Sequence, residues 1–292
     1  MRRLDLKTRC QIVAALVEGN SIAAVCRMTG VAKRTVLKLL ADIGAACDDY
    51  QDRTLRGLSC KRVQCDEIWS FVYAKERNVP ERMKDQEGVG SVWTWTASDA
   101  DTKLMLTWFI GARDAGCANR FMLDVASRID GRVQLTTDGF KAYKWATSLA
   151  FPAGSVDYAQ LIKVYAGASD GNPEAKYSPP VCCGARKEPV KGWPDMDHVS
   201  TSFVERSNLT MRMAVRRFTR LTNGFSKKIE NHSAAVSLHF MFYNFCRKHQ
   251  SLKGQTPAMA AGVADHVWSI AEVVGLIPEK AGRFQKIGLA AE

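Results

Sequence analysis

Lys61-Arg62-Val63-Gln64-Cys65-Asp66-Glu67-Ile68-Trp69-Ser70-Phe71-Val72-Tyr73 is the stretch on which the fold turns. β-branched and aromatic residues dominate it, so it reads as a strand. Two acids nevertheless stand side by side at its centre. Successive strand side chains point to opposite faces, which sends Asp66 and Glu67 to different sides and lets only one of them face a given site. A charge inside so apolar a strand calls for a partner or a metal. The plain alternative is an ordinary acid on an edge strand.

Working outward toward the C-terminus, Gly90 to Ala97 and Lys103 to Ile110 read as two more strands. A helix is expected at about Ala118 to Ile129, a strand at Arg132 to Thr137, a helix at about Phe140 to Leu149 and a short strand at Gln160 to Tyr165. Gly167 to Asp197 is rich in Gly, Pro and Asp and reads as a loop or insertion, after which helices resume at Ser202 to Phe218 and about Ile229 to His249. This order predicts an α/β fold, a mixed sheet flanked by helices.

Toward the N-terminus, Ile12, Val13, Leu16 and Val17 form a helical stripe that stops at Gly19-Asn20. Ser21 caps a second short helix ending at Thr29-Gly30, and a third begins near Ala32 with Val36, Leu39 and Leu40 inward. This is the helix-turn-helix pattern, and it leaves Lys33, Arg34 and Lys38 facing outward, where a reading helix meets phosphates and bases. The competing reading is a three-helix packing or dimerisation element with solvated lysines. Asp48 to Ser59 is polar and reads as a linker.

Two basic regions flank a more neutral middle. Arg206 to Lys253 carries ten Lys or Arg against the single acid Glu230, a second excess lies in the first 47 residues, and the whole chain has a formal charge of +11. That distribution favours a polyanionic partner, double-stranded DNA, touched at both ends of the chain. No unbroken apolar run reaches the roughly 18 residues a bilayer span needs, and the start of the chain lacks the apolar stretch of a secretory signal, so a cytoplasmic location without membrane contact is expected. Nine cysteines are scattered without Cys-x-x-Cys or Cys/His pairing, so no zinc site is expected. The histidines match no metal spacing, and Trp69, Trp93, Trp95 and Trp108 are expected in the core.

Two further acids complete a candidate trio. Asp138 ends the fourth strand in Leu135-Thr136-Thr137-Asp138-Gly139-Phe140, and ligands gather at the carboxyl ends of strands in open α/β sheets. An Asp before a helix is also a routine N-cap. Glu205 sits on the first turn of a helix, where Arg212 and Arg216 fall within about 40° of it, opposite an apolar stripe of Val204, Met211, Val215 and Phe218. The competing reading is a capping box over Ser202-Phe203-Val204-Glu205. Three acids from separate segments are what two-metal phosphodiester chemistry needs, and magnesium, with manganese able to substitute, suits an all-oxygen ligand set.

At five motifs in order the chain resembles transposases of the insertion sequence 1 family, DDE enzymes on a ribonuclease-H-like plan. The motifs are Cys65-Asp66-Glu67-Ile68-Trp69, Thr137-Asp138-Gly139-Phe140-Lys141-Ala142-Tyr143, Phe203 to Arg212, Arg220 to Lys228 with Glu230 and His232, and Thr256-Pro257-Ala258-Met259. The resemblance spans roughly residues 60 to 265 and implies that Asp66, Asp138 and Glu205 are the catalytic, metal-holding acids. It implies that Arg212 contacts the DNA end, with Asn208 in support; helical spacing sets Arg216 beside Arg212 as a second contact to the DNA backbone, and Lys227 and Lys228 are expected as further DNA contacts. The expected organisation is a helix-turn-helix over 1–47, a linker over 48–60, a catalytic domain over 61–265 with an insertion at about 167–197 and a basic C-terminal helical region, and a tail over 266–292. One departure stands out: many family members carry an N-terminal cysteine zinc finger, and none is present. The implied activity is cleavage at the terminal inverted repeats of an insertion sequence followed by strand transfer, by a homodimer or larger assembly on DNA in a bacterial, nucleoid-associated setting. Two rivals remain, a transposase-derived regulator that binds without cutting and a nuclease of the same fold acting on branched DNA.

Overall fold

The computed structural model describes residues 4–84, 86–165, 182–219 and 222–278. Its centre is a mixed six-stranded sheet flanked by helices, with strand order β3-β2-β1-β4-β5-β6. The strands are β1 (Arg62–Val72), β2 (Gly90–Asp99), β3 (Met105–Gly111), β4 (Val133–Asp138), β5 (Val156–Tyr165) and β6 (Cys182–Lys191). The first three form an antiparallel meander, β4 and β5 run parallel to β1, and β6 returns antiparallel to β5.

Strand alternation sorts the two faces. Cys65, Trp95 and Leu135 turn to the side covered by α4 (Ala115–Arg128) and α5 (Ala142–Ala150), where Trp95 packs against Phe121 and Tyr143. Ile68, Met105, Trp108 and Ile110 turn to the other side and meet Met211 of α6 (Ser202–Ala214) and Val236 and Phe240 of α7 (Ile229–Met241). Each face buries an unbroken apolar layer, the main stabilising term of such a sandwich. Trp95 and Trp108 are core residues as expected, and Trp69 and Trp93 are half-buried.

Several boundaries differ from the sequence reading. The segment read as a linker is helical through Thr54, because α3 (Lys33–Thr54) continues without a break from the short helices α1 (Leu6–Val17) and α2 (Ile22–Thr29) into the body of the molecule. Two of its polar residues are buried and matched: the Gln51 side-chain amide donates to the Ser237 carbonyl at 3.2 Å, and Ser237 Oγ donates to Asp48. Gly44 permits the approach, since a Cβ there would lie 2.5 Å from Ala234 on α7. The helix expected to reach His249 widens at Phe242–Cys246 into a π turn that brings Asn244 against the backbone of Met105, donating to its carbonyl and accepting from its N–H, each at 2.9 Å. Strand β6 lies in the stretch read as a loop; it is an exposed edge strand with a proline in it, so it lacks an apolar alternation to reveal it. Residues 166–181 of that stretch lie outside the described residues.

The expected tail is partly a packed element. Trp268 stacks on Tyr50 and Phe245, and α9 (Ile270–Gly275), preceded by the short α8 (Pro257–Ala260), buries Val273 and Val274 against the N-terminal helices behind a Ser269/Glu272 capping box. Among the described residues no helix is long and apolar enough to cross a membrane.

Candidate active site

β4 ends at Asp138, and its pairing with β1 ends at Cys65 opposite Thr137, while β1 runs on to Val72, where a single bridge to Ser226 is its next partner on that edge. Asp66 and Glu67 are therefore the first residues of β1 beyond its parallel partner. This corrects the expectation that only one of them could face the site: carboxylate oxygens of Asp66, Glu67 and Asp138 all lie within 4.8 Å of one another. The two side chains leave opposite faces, as alternation demands, and reach Asp138 around the open edge.

Asp66 emerges on the α6 face. Its Oδ2 accepts a hydrogen bond from Asn208 Nδ2 at 2.9 Å, and Thr96, its cross-strand neighbour, donates to Asn208 Oδ1 at 3.3 Å and so fixes the amide. Burial, followed by the charge of Asp138, pushes the Asp66 carboxyl up to about 6, against the opposing bonds from Asn208 and the Glu67 N–H. Glu67 emerges on the α5 face, where burial and then Asp138 push it to about 7 against the Tyr143 hydroxyl and the Arg113 guanidinium. Arg113 spans two of the acids, donating from Nε to Glu67 at 3.1 Å and from Nη2 to Asp138 at 3.2 Å, with its plane over the rings of Phe140 and Trp93. Asp138 also accepts from the Phe140 N–H at 2.9 Å. That bond is an Asx turn; helix α5 begins later, with Lys141 as its N-cap, so Asp138 is not a helix cap.

Glu205 lines the same cleft from α6. The N-cap of that helix is Thr201, so the capping-box alternative over Ser202 to Glu205 is not realised. The Glu205 carboxylate instead accepts from Lys163 Nζ at 2.6 Å and from the Thr201 hydroxyl. The start of α6 is tied to β1 by Gln64, whose side-chain oxygen accepts from the N–H groups of Phe203 at 2.9 Å and Val204 at 3.1 Å. Asp66, Asp138 and Glu205 thus border one cleft of about 1050 Å³, together with Arg113, Lys141, Lys163 and Arg212. Asp66 and Asp138 are close to each other, whereas Glu205 stands apart from the three clustered carboxylates.

Other expected contacts divide into two groups. Arg212 is half-buried in the carboxylate cleft, but α6 ends at Ala214, so Arg216 falls in the following 3-10 turn rather than along the edge shared by Glu205 and Arg212. Arg216, Lys33 and Lys227 line a separate cavity of about 280 Å³ between the N-terminal helices and the α6–α7 connection. Lys33, Arg34, Lys38, Lys227 and Lys228 are exposed, and Lys38 is paired with Asp42 at 2.6 Å. Arg220 and Leu221 lie outside the described residues. His232 sits neutral in the core between Ser70 and Ser226, its ring pushed down to about 3 by burial and the neighbouring Arg217. The cysteines are all free thiols; Cys47, Cys60 and Cys65 are buried, and Cys182 and Cys183 are exposed.

Sequence reasoning missed Glu67 as a member of the cluster, Arg113 as its cationic partner, Lys163 as the partner of Glu205, and Gln64 as the link to α6. Gln64, a polar residue two positions before an acid in an apolar strand, was the one signal available in the sequence.

No protein-family model and no curated protein matches the chain. Among solved structures it is similar to the cryo-EM structure of a piggyBac transposase synaptic complex with hairpin DNA, at 11% identity and a TM-score of 0.41, over 94% of this chain and 71% of that one. A likeness this distant assigns neither family nor activity, and nothing below rests on it.

Proposed function

We propose that the chain is a DNA transposase of the insertion sequence 1 kind, with a ribonuclease-H-like catalytic core, that cleaves and joins DNA strands at a site formed by Asp66, Asp138 and Glu205. The observation that carries this reading is the convergence of those three acids on one open cleft whose rim also presents Arg212, Lys141 and Lys163. The donor set fits magnesium or manganese: Asp66 and Asp138 offer carboxylate oxygens within 4.8 Å of each other, with Glu205 on the same cleft, and the repulsion between such carboxylates is what a hard cation relieves. When bound, the metal would supply activation of the attacking oxygen and stabilisation of the leaving one. Asp66 and Asp138 would hold it from the sheet and Glu205 from α6.

The remaining residues bind and orient. Asn208 holds the Asp66 carboxylate through Nδ2 and is itself held by Thr96, so its part is to aim Asp66 rather than to touch DNA. The cations on the cleft rim suit a phosphodiester backbone, which they would bind without reading its sequence. Lys33, Arg34 and Lys38 at the start of α3 are assigned to the terminal inverted repeat, and Arg216, Lys227 and Lys228 to flanking phosphates. Both ends of an element must be held together for joining, so a homodimer or larger assembly on DNA is part of the proposal.

A second reading, a regulator that binds DNA without cutting it, is favoured by one observation: the Glu205 carboxylate is already occupied by Lys163 and Thr201. The two readings are separated by incubating the full chain with duplexes carrying the host element's terminal repeats, in Mg²⁺ and in EDTA, beside Asp138→Asn. Cleavage and strand-transfer products that need Mg²⁺ and vanish in the variant support the transposase. Binding without cutting by the unaltered chain selects the regulator, and cutting confined to branched DNA selects a structure-specific nuclease.

A further inference from the structure

Within the proposed site, Arg113 is placed unlike any other cation of the cleft. Its guanidinium forks between a buried carboxylate, Glu67, whose side chain is 1% exposed, and a cleft carboxylate, Asp138, which is 34% exposed. Its plane is fixed by the Phe140 ring at 4.2 Å and the Trp93 ring at 5.2 Å. A guanidinium held on two carboxylates and two rings has little rotational freedom left, and a planar fork of this kind sets the direction of each carboxylate it binds. The Phe140 N–H holds the other oxygen of Asp138, so both oxygens of that carboxylate have fixed donors.

The cluster also poses a selectivity problem. Glu67 has an oxygen within 4.8 Å of those of both Asp66 and Asp138, so by distance alone it is a competing ligand. It is adjacent in sequence to Asp66 and on the wrong face of β1 to share a cation with Glu205 on α6.

We propose that Arg113 is a positioning residue: anchored by Glu67, it aims the Asp138 carboxylate at Asp66 and keeps Glu67 out of the metal's coordination. This rests on the metal site of the proposed function. Glu67 is the counter-charge that lets Arg113 sit beside Asp138 without neutralising it. Removing Glu67's charge leaves Arg113 competing with the metal for Asp138, whereas removing Arg113 releases Glu67 to the metal as a further carboxylate and lets Asp138 turn.

The experiment is titration of Mn²⁺ into the metal-free full chain by calorimetry, with thermal melting to confirm folding and DNA cleavage in parallel. Glu67→Gln is expected to weaken Mn²⁺ binding about tenfold, and Arg113→Gln to tighten it several-fold while cleavage falls, since a unit charge within about 5 Å changes sign of effect with its own sign. The double variant is expected to return to the affinity of the unaltered chain. Arg113→Lys keeps the charge but not the fork, and is expected to hold Mn²⁺ affinity within about twofold while kcat drops with KM for DNA unchanged. Folded variants whose Mn²⁺ affinity does not move, or moves the same way in both single variants, would overturn the positioning role. If the unaltered chain binds Mn²⁺ and Asp66→Asn abolishes that binding, such a result removes the role of Arg113 and leaves the metal site standing. If the unaltered chain binds no Mn²⁺, the site and the role of Arg113 fall together.

Discussion

On the wall of the cleft built by β1 and β4, each acid is held from within: Asp66 by Asn208, Glu67 and Asp138 by Arg113, all on strands locked in a continuous sheet. On the facing wall, Glu205 rides on a helix and is held by Lys163 on β5, a pair in which both side chains are more than one-third exposed. The first wall keeps its carboxylates in place before any cation arrives; the second presents a carboxylate that must exchange one partner for another. Preorganisation is therefore uneven across the site, and the step that completes it belongs to α6.

The largest effects should come from removing a carboxylate on either wall. Asp66→Asn and Glu205→Gln are each expected to reduce cleavage by about three orders of magnitude or more, roughly 4 kcal/mol of transition-state stabilisation, in a single-turnover assay. Stability should separate them. The folded-state carboxyl of Asp66 is raised from 3.8 to about 6, so the stability tied to its neutral form is fully present below 3.8 and lost as pH rises through 6. Metal-free Asp66→Asn is therefore expected to be more stable than the parent by about 2 kcal/mol at pH 7.5, with the gap closing toward pH 4, as read by chemical denaturation. Glu205→Gln breaks a surface pair and is expected to change stability by less than about 1 kcal/mol. Equal shifts for the two variants would erase the distinction between the walls.

Asn208→Ala sharpens the first wall. The bond it removes lowers the Asp66 carboxyl, so the acid limb of cleavage, expected near pH 6 in the parent, should move to higher pH. A pH profile at Mg²⁺ far below saturation, where the metal-free carboxyl sets the limb, that shows an unmoved limb would place the limiting ionisation elsewhere. Gln64→Ala tests the link between the walls: two N–H groups of α6 lose their acceptor, for an expected loss of about 1–2 kcal/mol of stability and about tenfold in kcat. Smallest of all, Lys163→Gln should release Glu205 and tighten Mn²⁺ binding a few-fold, with little change in melting, as an exposed pair contributes little. Weaker Mn²⁺ binding in that variant would mean that Lys163 organises Glu205 rather than detaining it.

What was legible in the sequence followed from periodicity. The apolar strands, the amphipathic helices and the starts of the three N-terminal helices rest on local patterns, and the sheet brings Asp66 and Asp138 together because both stand where adjacent parallel strands part. The illegible elements lack a local signature. Asp48 and Gln51 look solvated until Ser237 and Asn244, 189 and 193 residues away, supply their partners. β6 is polar because most of its residues are exposed on both faces. Glu67 joins the cluster only because β4 stops short, a fact about a neighbouring strand, and Arg216 leaves the edge it was expected to share because α6 ends at Ala214.

The unbroken course of α3 carries a mechanical implication. Its first turn bears Lys33 and Arg34 on the surface, and its second half is wedged against α7 through Gly44 and Ala234. At about 1.5 Å per residue its 22 residues make a strut of roughly 33 Å with no hinge between the surface cations and the core. Inserting one residue between Lys38 and Ile43 would swing those cations about 100° around the shaft, and inserting seven would carry them outward by about two turns while nearly restoring their bearing. Under the proposed function, the chain would hold its reading end at one fixed distance and azimuth from the point of cutting, as a drafting compass with its legs locked.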